Sequence, residues 1–270
     1  MKKLVFCADD FALHGAASEG IAALAQKGCI TATSVMVLSP RWATDVTWLQ
    51  PLRGQIDVGL HLDWTSEFAR NAGHGMTLPS TMLSAWLKQI KPAHAKPVIE
   101  RQLNDFEQVW QAPPDFIDGH QHVQQFLGIR DALVQVLAER YGSFRTRPYL
   151  RISQLPPLQV NFKARVIAAM GAEPLRLLAG LNGVPCASAL SGVYDFNEGS
   201  ISYAQRMNGW LRTSPEGTLL MCHPAQSVEA SDSIGQARVR EYRYLTGADF
   251  QKQLKACDIQ LDRGSSLYKE

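Results

Sequence analysis

The chain has 270 residues, 46% of them hydrophobic and 19% charged, which is long enough to bury a large core without disulfides or a structural metal. Lysine and arginine number 27 against 25 acidic residues, so a net charge of +2 gives none of the basic excess of a nucleic-acid binder. Five widely spaced cysteines make no C-x-x-C pair, and no apolar run approaches the ~18 residues of a membrane span; a cytoplasmic protein with reduced thiols and no membrane or nucleic-acid partner is expected.

Lys2 and Lys3 precede only five apolar residues, too few for a signal peptide. Those residues, 4–8, read as a buried strand, and residues 16–27 follow with Ile21, Leu24 and Ala25 at helical spacing. A β-rich run at 31–38, a helical stretch near 43–52 and a strand at 56–62 come next. Residues 63–95, broken by Gly73, Gly75, Pro79 and Pro92, show little pattern and read as a long functional loop or lid. Alternation then resumes with a helix near 97–110, a strand at 115–119, a helix near 127–140 and a strand at 143–147. The stretch 152–199 is mixed, with a helix near 160–170. A helix near 201–212, a strand at 218–222, helices near 234–245 and 248–257 and a short strand near 258–261 complete the chain. Repeated β-then-α units imply parallel strands covered by helices in a single α/β domain over 1–270, and about seven strands in this length favour a TIM-like (β/α) barrel over an open sheet, with closure left open by pattern alone.

Residues able to bind metal or move protons collect after these strands. Asp9 and Asp10 follow the first, His61 and Asp63 the third, Asp118, His120 and His122 the fourth, and His223 a late one. In parallel α/β folds, sites are built at the C-terminal ends of strands. Each element also has an ordinary reading, since an acid pair after a strand often caps a turn and a lone histidine often packs in a core. Arg140, Arg145, Arg147 and Arg151, interrupted by Phe144, Pro148, Tyr149 and Leu150, read as a strand end with its loop. His14, His74 and His94 lie in loop-like surroundings and are set aside.

ADDFA at 8–12, GLHL at 59–62, DGHQHV at 118–123 and CHPA at 222–225 together resemble the signatures of the YdjC-like carbohydrate deacetylases. The likeness extends to GCITATSVMVLSP at 28–40 and to an R-x-x-E-x-x-x-L arrangement at 238–245. It implies a distorted barrel, one divalent ion (Mg²⁺ or Zn²⁺) held by Asp10, His61 and His120, and removal of an N-acetyl group from a sugar. Carried over residue by residue, it makes Asp9 the general base and His223 the general acid. His122, Arg145 and Trp64 are candidate substrate or supporting residues, Arg145 to orient Asp9 or else form a surface salt bridge, and Trp64 to stack on a sugar or else pack in the core. Ala12 and Ala225 stand where relatives commonly have Gly, and Gln124 where they often have His.

The chemistry is coherent: two imidazoles and one carboxylate leave open positions on a divalent ion, as catalysis requires. An amide nitrogen also needs a proton before it departs. Another metal-dependent hydrolase on a similar barrel, of amidohydrolase or phosphoesterase type, is the alternative, although such sites usually carry H-x-H on the first strand. A non-catalytic carbohydrate-binding relative is a second alternative, and a homodimer is compatible with the sequence.

Overall fold

The apolar run at residues 4–8 forms the middle of a ten-residue strand, β1 (Lys2–Phe11), buried from Leu4 onward on both faces as a central parallel strand must be. The computed structural model describes residues 1–144, 147–159, 162–197 and 199–268. Among them β2 (Ala32–Val35), β3 (Asp57–Leu62), β4 (Phe116–Gly119), β5 (Tyr149–Leu150), β6 (Ala189–Ser191) and β7 (Thr218–Cys222) join β1 in a parallel sheet. The strand order is β5-β4-β3-β2-β1-β7-β6, and a short β8 (Ile259–Leu261) pairs with the first residues of β1. The sheet curls until its edges touch: Leu150 N–H donates to the Pro185 carbonyl and Ala187 N–H to the Leu150 carbonyl, just before β6 begins. The architecture is therefore a distorted α/β barrel.

Helices fill every connection. α1 (Gly15–Gln26) links β1 to β2, and the short α2 (Trp42–Asp45) lies before β3. The connection from β3 to β4 carries α3 (Glu67–Asn71), α4 (Leu78–Trp86) and α5 (Pro92–Trp110). α6 (Ile129–Tyr141) precedes β5, α7 (Phe162–Ala169) and α8 (Ala172–Leu181) precede β6, and α9 (Tyr203–Thr213) precedes β7. α10 (Gly235–Thr246) and α11 (Ala248–Ala256) lead to β8, and α12 (Gly264–Leu267) follows it.

Three local readings change. The stretch 63–95 holds α3, α4 and the start of α5, because its apparent breakers are starters: Pro79 and Pro92 occupy the first turns of their helices, where a missing N–H costs nothing. Ser66 and Thr77 cap α3 and α4. Of the strand expected at 143–147, residues 145–146 lie outside the described residues; Phe144 N–H closes a turn onto Tyr141, β5 is at Tyr149–Leu150, and Tyr149 stacks on Phe116 at 5.1 Å inside the barrel. Two elements inside 152–199, α8 and β6, had no predicted counterpart.

The barrel interior is layered. At the bottom Phe116 packs against Tyr149, and Gly59 makes room for it, since a Cβ there would lie 2.6 Å from the Phe116 ring. Above sit Val5, Cys7, Leu190, Leu219 and Met221. The next inward residues, Asp9, His61, Asp118 and Arg151, are polar and buried, so the core ends in a site.

At the opposite end of the barrel Asp115 accepts a hydrogen bond from Val58 N–H at 2.8 Å. Burial, and next the Asp57 charge, push its carboxyl up to about 6. The folded chain thus holds this proton more tightly than the unfolded chain, and stability is lost as pH rises from about 4 to about 6, on the order of 2 kcal/mol. Asp115→Asn keeps an acceptor for Val58 and removes the charge. Its Tm should exceed wild type at pH 7.5, with the gain vanishing near pH 4; equal gains at both pH values would refute the charge as its cause.

Candidate metal centre and active site

Neighbouring strand residues point to opposite faces, so Asp9 and Asp10 should diverge. They converge because Asp10 has φ 70° and the β1–β2 register shifts between Ala8 and Phe11. Asp9 continues the inward series of Val5 and Cys7, and the left-handed turn at Asp10 brings the second carboxylate to the same place. Ala12, also at φ 70°, occupies a conformation that favours glycine, which accounts for the glycine common in similar sequences.

One oxygen of Asp10, Oδ1, faces His61 Nε2 at 3.3 Å and His120 Nδ1 at 3.2 Å. The ligand atoms of the three residues lie within 4.8 Å of one another. Bonds of about 2.0–2.2 Å to one ion place neighbouring ligands roughly 3.0–3.5 Å apart, so the spacing around Oδ1 fits a divalent cation. His61 turns its other nitrogen to Asp118 Oδ1 at 2.5 Å, with Ser34 Oγ at 3.0 Å. A carboxylate behind a histidine in this way fixes ring orientation for a ligand. Burial alone would lower the His61 pKa, but Asp118, Asp10 and Asp9 raise it to about 10.

Asp9 is gripped by Arg151, which donates from Nη1 to Oδ2 at 2.6 Å and from Nη2 to Oδ1 at 2.5 Å. Burial disfavours the Asp9 charge, yet Arg151, then His61 and His223, hold the carboxyl well below its usual range. Arg151 Nη2 also contacts Asp118 and the Cys7 thiol, so the second cluster of ligand-type atoms, Cys7, Asp9 and Asp118, surrounds a guanidinium. On the far side Arg238 Nη2 donates to Asp10 Oδ2 at 2.7 Å and Nε to Asp232 Oδ2 at 2.5 Å. Four carboxylates thus face two guanidiniums, and the same acids hold a proton on His61.

His223 Nε2 lies 3.8 Å from Asp9 Oδ2, while its Nδ1 is buried without a partner. Burial, against the pull of Asp9 and Asp10, pushes its pKa down to about 4. Its backbone N–H donates to Glu241 Oε2 at 2.6 Å, and Tyr194 O–H donates to the other oxygen at 2.5 Å. His122 does not share a strand face with His120, because β4 ends at Gly119 and Gln121 and His122 are both left-handed. Its Nδ1 meets Ser153 Oγ at 3.0 Å. Gln124 is fully buried and bonds the same Ser153 hydroxyl and the Arg151 carbonyl, so it braces the site from behind.

Other expectations change. Trp64 is 4% exposed, packs edge-on against His74 at 5.3 Å and belongs to the core, not to a sugar platform. Phe196 is an aromatic residue at the site; it has φ 64°, meets His223 edge-on at 5.2 Å and carries Lys163 Nζ over its ring at 4.9 Å. Asp63 accepts the backbone N–H groups of Thr65 and Ser66 in the turn before α3 instead of facing His61 and His120. Arg145 lies outside the described residues, and Arg151 is the arginine on Asp9. His14, set aside as a loop residue, caps α1 and reaches Asp232.

Asp9, Asp10, His61, His120, His122 and His223 all line one cavity of about 620 Å³. Thr65, Ser66 and Phe68, from the β3–β4 connection, form one wall, and Ile167, Val193, Phe196 and Met221 an apolar one. Among the described residues no helix is long and apolar enough to cross a membrane, and all five cysteines are unpaired.

A model of the YdjC-like protein family matches residues 3–256. A human protein named carbohydrate deacetylase is 26% identical over 294 aligned positions, spanning 96% of this chain and 89% of that one. A crystal structure provisionally described as a cellobiose-phosphate cleavage protein of Enterococcus faecalis V583 has a TM-score of 0.71 at 20% identity, with 99% of each chain covered. At that identity the likeness is one of fold.

Proposed function

We propose, for a chain that belongs to the YdjC-like protein family, that it is a metal-dependent carbohydrate deacetylase removing the N-acetyl group from an amino sugar or N-acetylated oligosaccharide. The observation that carries this reading is the meeting of Asp10, His61 and His120 around one carboxylate oxygen, with Asp9 and His223 in the same cavity. The similarity to a human protein named carbohydrate deacetylase supports it. One carboxylate and two imidazoles favour zinc or another transition ion, with magnesium the alternative. When bound, such an ion polarises the acyl carbonyl and acidifies water.

The residues of the chain supply the rest. Asp9, kept ionised and aimed by Arg151, accepts the proton of the attacking water. His223, neutral at rest, stands 3.8 Å from Asp9 and is placed to relay that proton to the departing amine. Phe196, Ile167, Val193 and Met221 give the cavity an apolar lining that limits water beside His223.

Metal analysis and acetate release from a panel of N-acetylated sugars test this reading. One divalent ion per chain, acetate released, and both lost in the His61→Ala, His120→Ala double variant are the expected results. Full metal occupancy in the folded double variant would defeat the ligand assignment, and no acetate from any sugar the deacetylase reading.

A further inference from the structure

The two oxygens of Asp10 have different neighbours. Oδ1 faces both imidazoles, whereas Oδ2 accepts a 2.7 Å hydrogen bond from Arg238. We propose that Arg238 is a positioning residue of the metal centre, occupying Asp10 Oδ2 so that the carboxylate offers the ion a single oxygen. This rests on the reading of Asp10, His61 and His120 as the cation site.

Arg238 is itself held from behind. Its side chain is 3% exposed, and Nε donates to Asp232 Oδ2. Asp232 accepts Ile234 N–H on Oδ1 at 3.0 Å, and its Oδ2 lies 3.2 Å from His14 Nε2. His14 Nδ1 accepts Ala17 N–H at the start of α1, so the ring proton belongs on Nε2, toward Asp232. The guanidinium is therefore clamped between two carboxylates and cannot swing away from Oδ2. A planar fork can span both partners, which the point charge of lysine cannot. One turn further along α10, Glu241 holds the backbone of His223, so one helix face sets both the ligand carboxylate and the proposed acid.

The consequence concerns open coordination positions. A carboxylate with a free second oxygen can swing to grip an ion with both, filling a position that substrate or water needs. Blocking Oδ2 with a fixed cation prevents this. The arginine also lowers the site's negative charge, which sacrifices some affinity for the ion.

Cobalt(II) tests the proposal in the full chain, because its visible absorption weakens as coordination number rises. Arg238→Met should bind Co²⁺ at least about tenfold more tightly, through the lost positive charge, with a weaker band and lower turnover. Arg238→Lys should return affinity toward wild type while the band stays altered, and Asp232→Asn should shift the band in the same sense by less. A brace with no part in coordination predicts the reverse: looser Co²⁺ binding with an unchanged band. That pattern, or wild-type spectra in the Lys and Asn variants, overturns the proposal. Wild-type protein that binds no Co²⁺, or a His61→Ala variant that binds it normally, overturns the metal-site reading itself and the proposal with it.

Discussion

Asp9→Asn is expected to leave a folded protein with its divalent cation in place while deacetylation falls about 10²–10⁴-fold, the usual worth of a positioned base. An amide cannot take the proton of water, but its oxygen still accepts from Arg151, and Arg151 keeps Asp118 as a second partner. The buried guanidinium is thus not stranded, and the change reads out in chemistry before it reads out in stability. Asp10→Asn has a different signature. It weakens the oxygen that His61 and His120 face, so metal content should fall and turnover with it. Metal analysis beside acetate release on both variants separates these roles. Metal lost from Asp9→Asn and retained by Asp10→Asn would exchange the two assignments.

Local patterns in the sequence reach some of this site and not the rest. Strand ends carrying Asp9, His61, Asp118 and His223 are legible because buried parallel strands are apolar runs, and a polar residue closing such a run stands out. The convergence of Asp9 with Asp10 is not legible from alternation, which sends neighbours apart; a left-handed Asp10 reverses it. The same limit misplaces His122, since the alternation assumed for it stops at Gly119. Arg151 sits in a basic cluster that reads as an ordinary strand end. Its meaning comes from Asp9, 142 residues away in the chain, and closure of a barrel is what joins them. Arg238 and Asp10, 228 residues apart, are the same case, although the R-x-x-E arrangement at 238–241 had marked the place. Trp64 shows the converse, a large aromatic residue beside a motif whose ring goes to the core. Its neighbourhood in sequence is the site, and its neighbourhood in space is His74 and the core.

His223→Ala is expected to cut amide deacetylation about 10²–10⁴-fold while largely sparing an activated acetate ester. A nitrophenolate departs without a proton, whereas an amine does not, so losing the acid should be felt by one substrate alone. Geometry favours His223 over its rival. Its Nε2 is the imidazole nitrogen nearest the Asp9 carboxylate across the cavity, and its Nδ1 has no partner that would draw the ring away. Glu241 and Phe196 fix the backbone and ring edge without touching the working nitrogen. His122 is tied down differently: Ser153 occupies Nδ1, Gln124 anchors that hydroxyl, and burial followed by the Arg151 charge pushes its pKa to about 3. A ring held by Ser153 and Gln124 in this way is suited to orienting substrate or neighbours, and His122→Ala should therefore lower amide and ester turnover together and modestly. Measuring both substrates in both alanine variants decides between them. An amide-selective loss in His122→Ala, with equal losses of both substrates in His223→Ala, would make His122 the acid and leave His223 as a wall of the cavity.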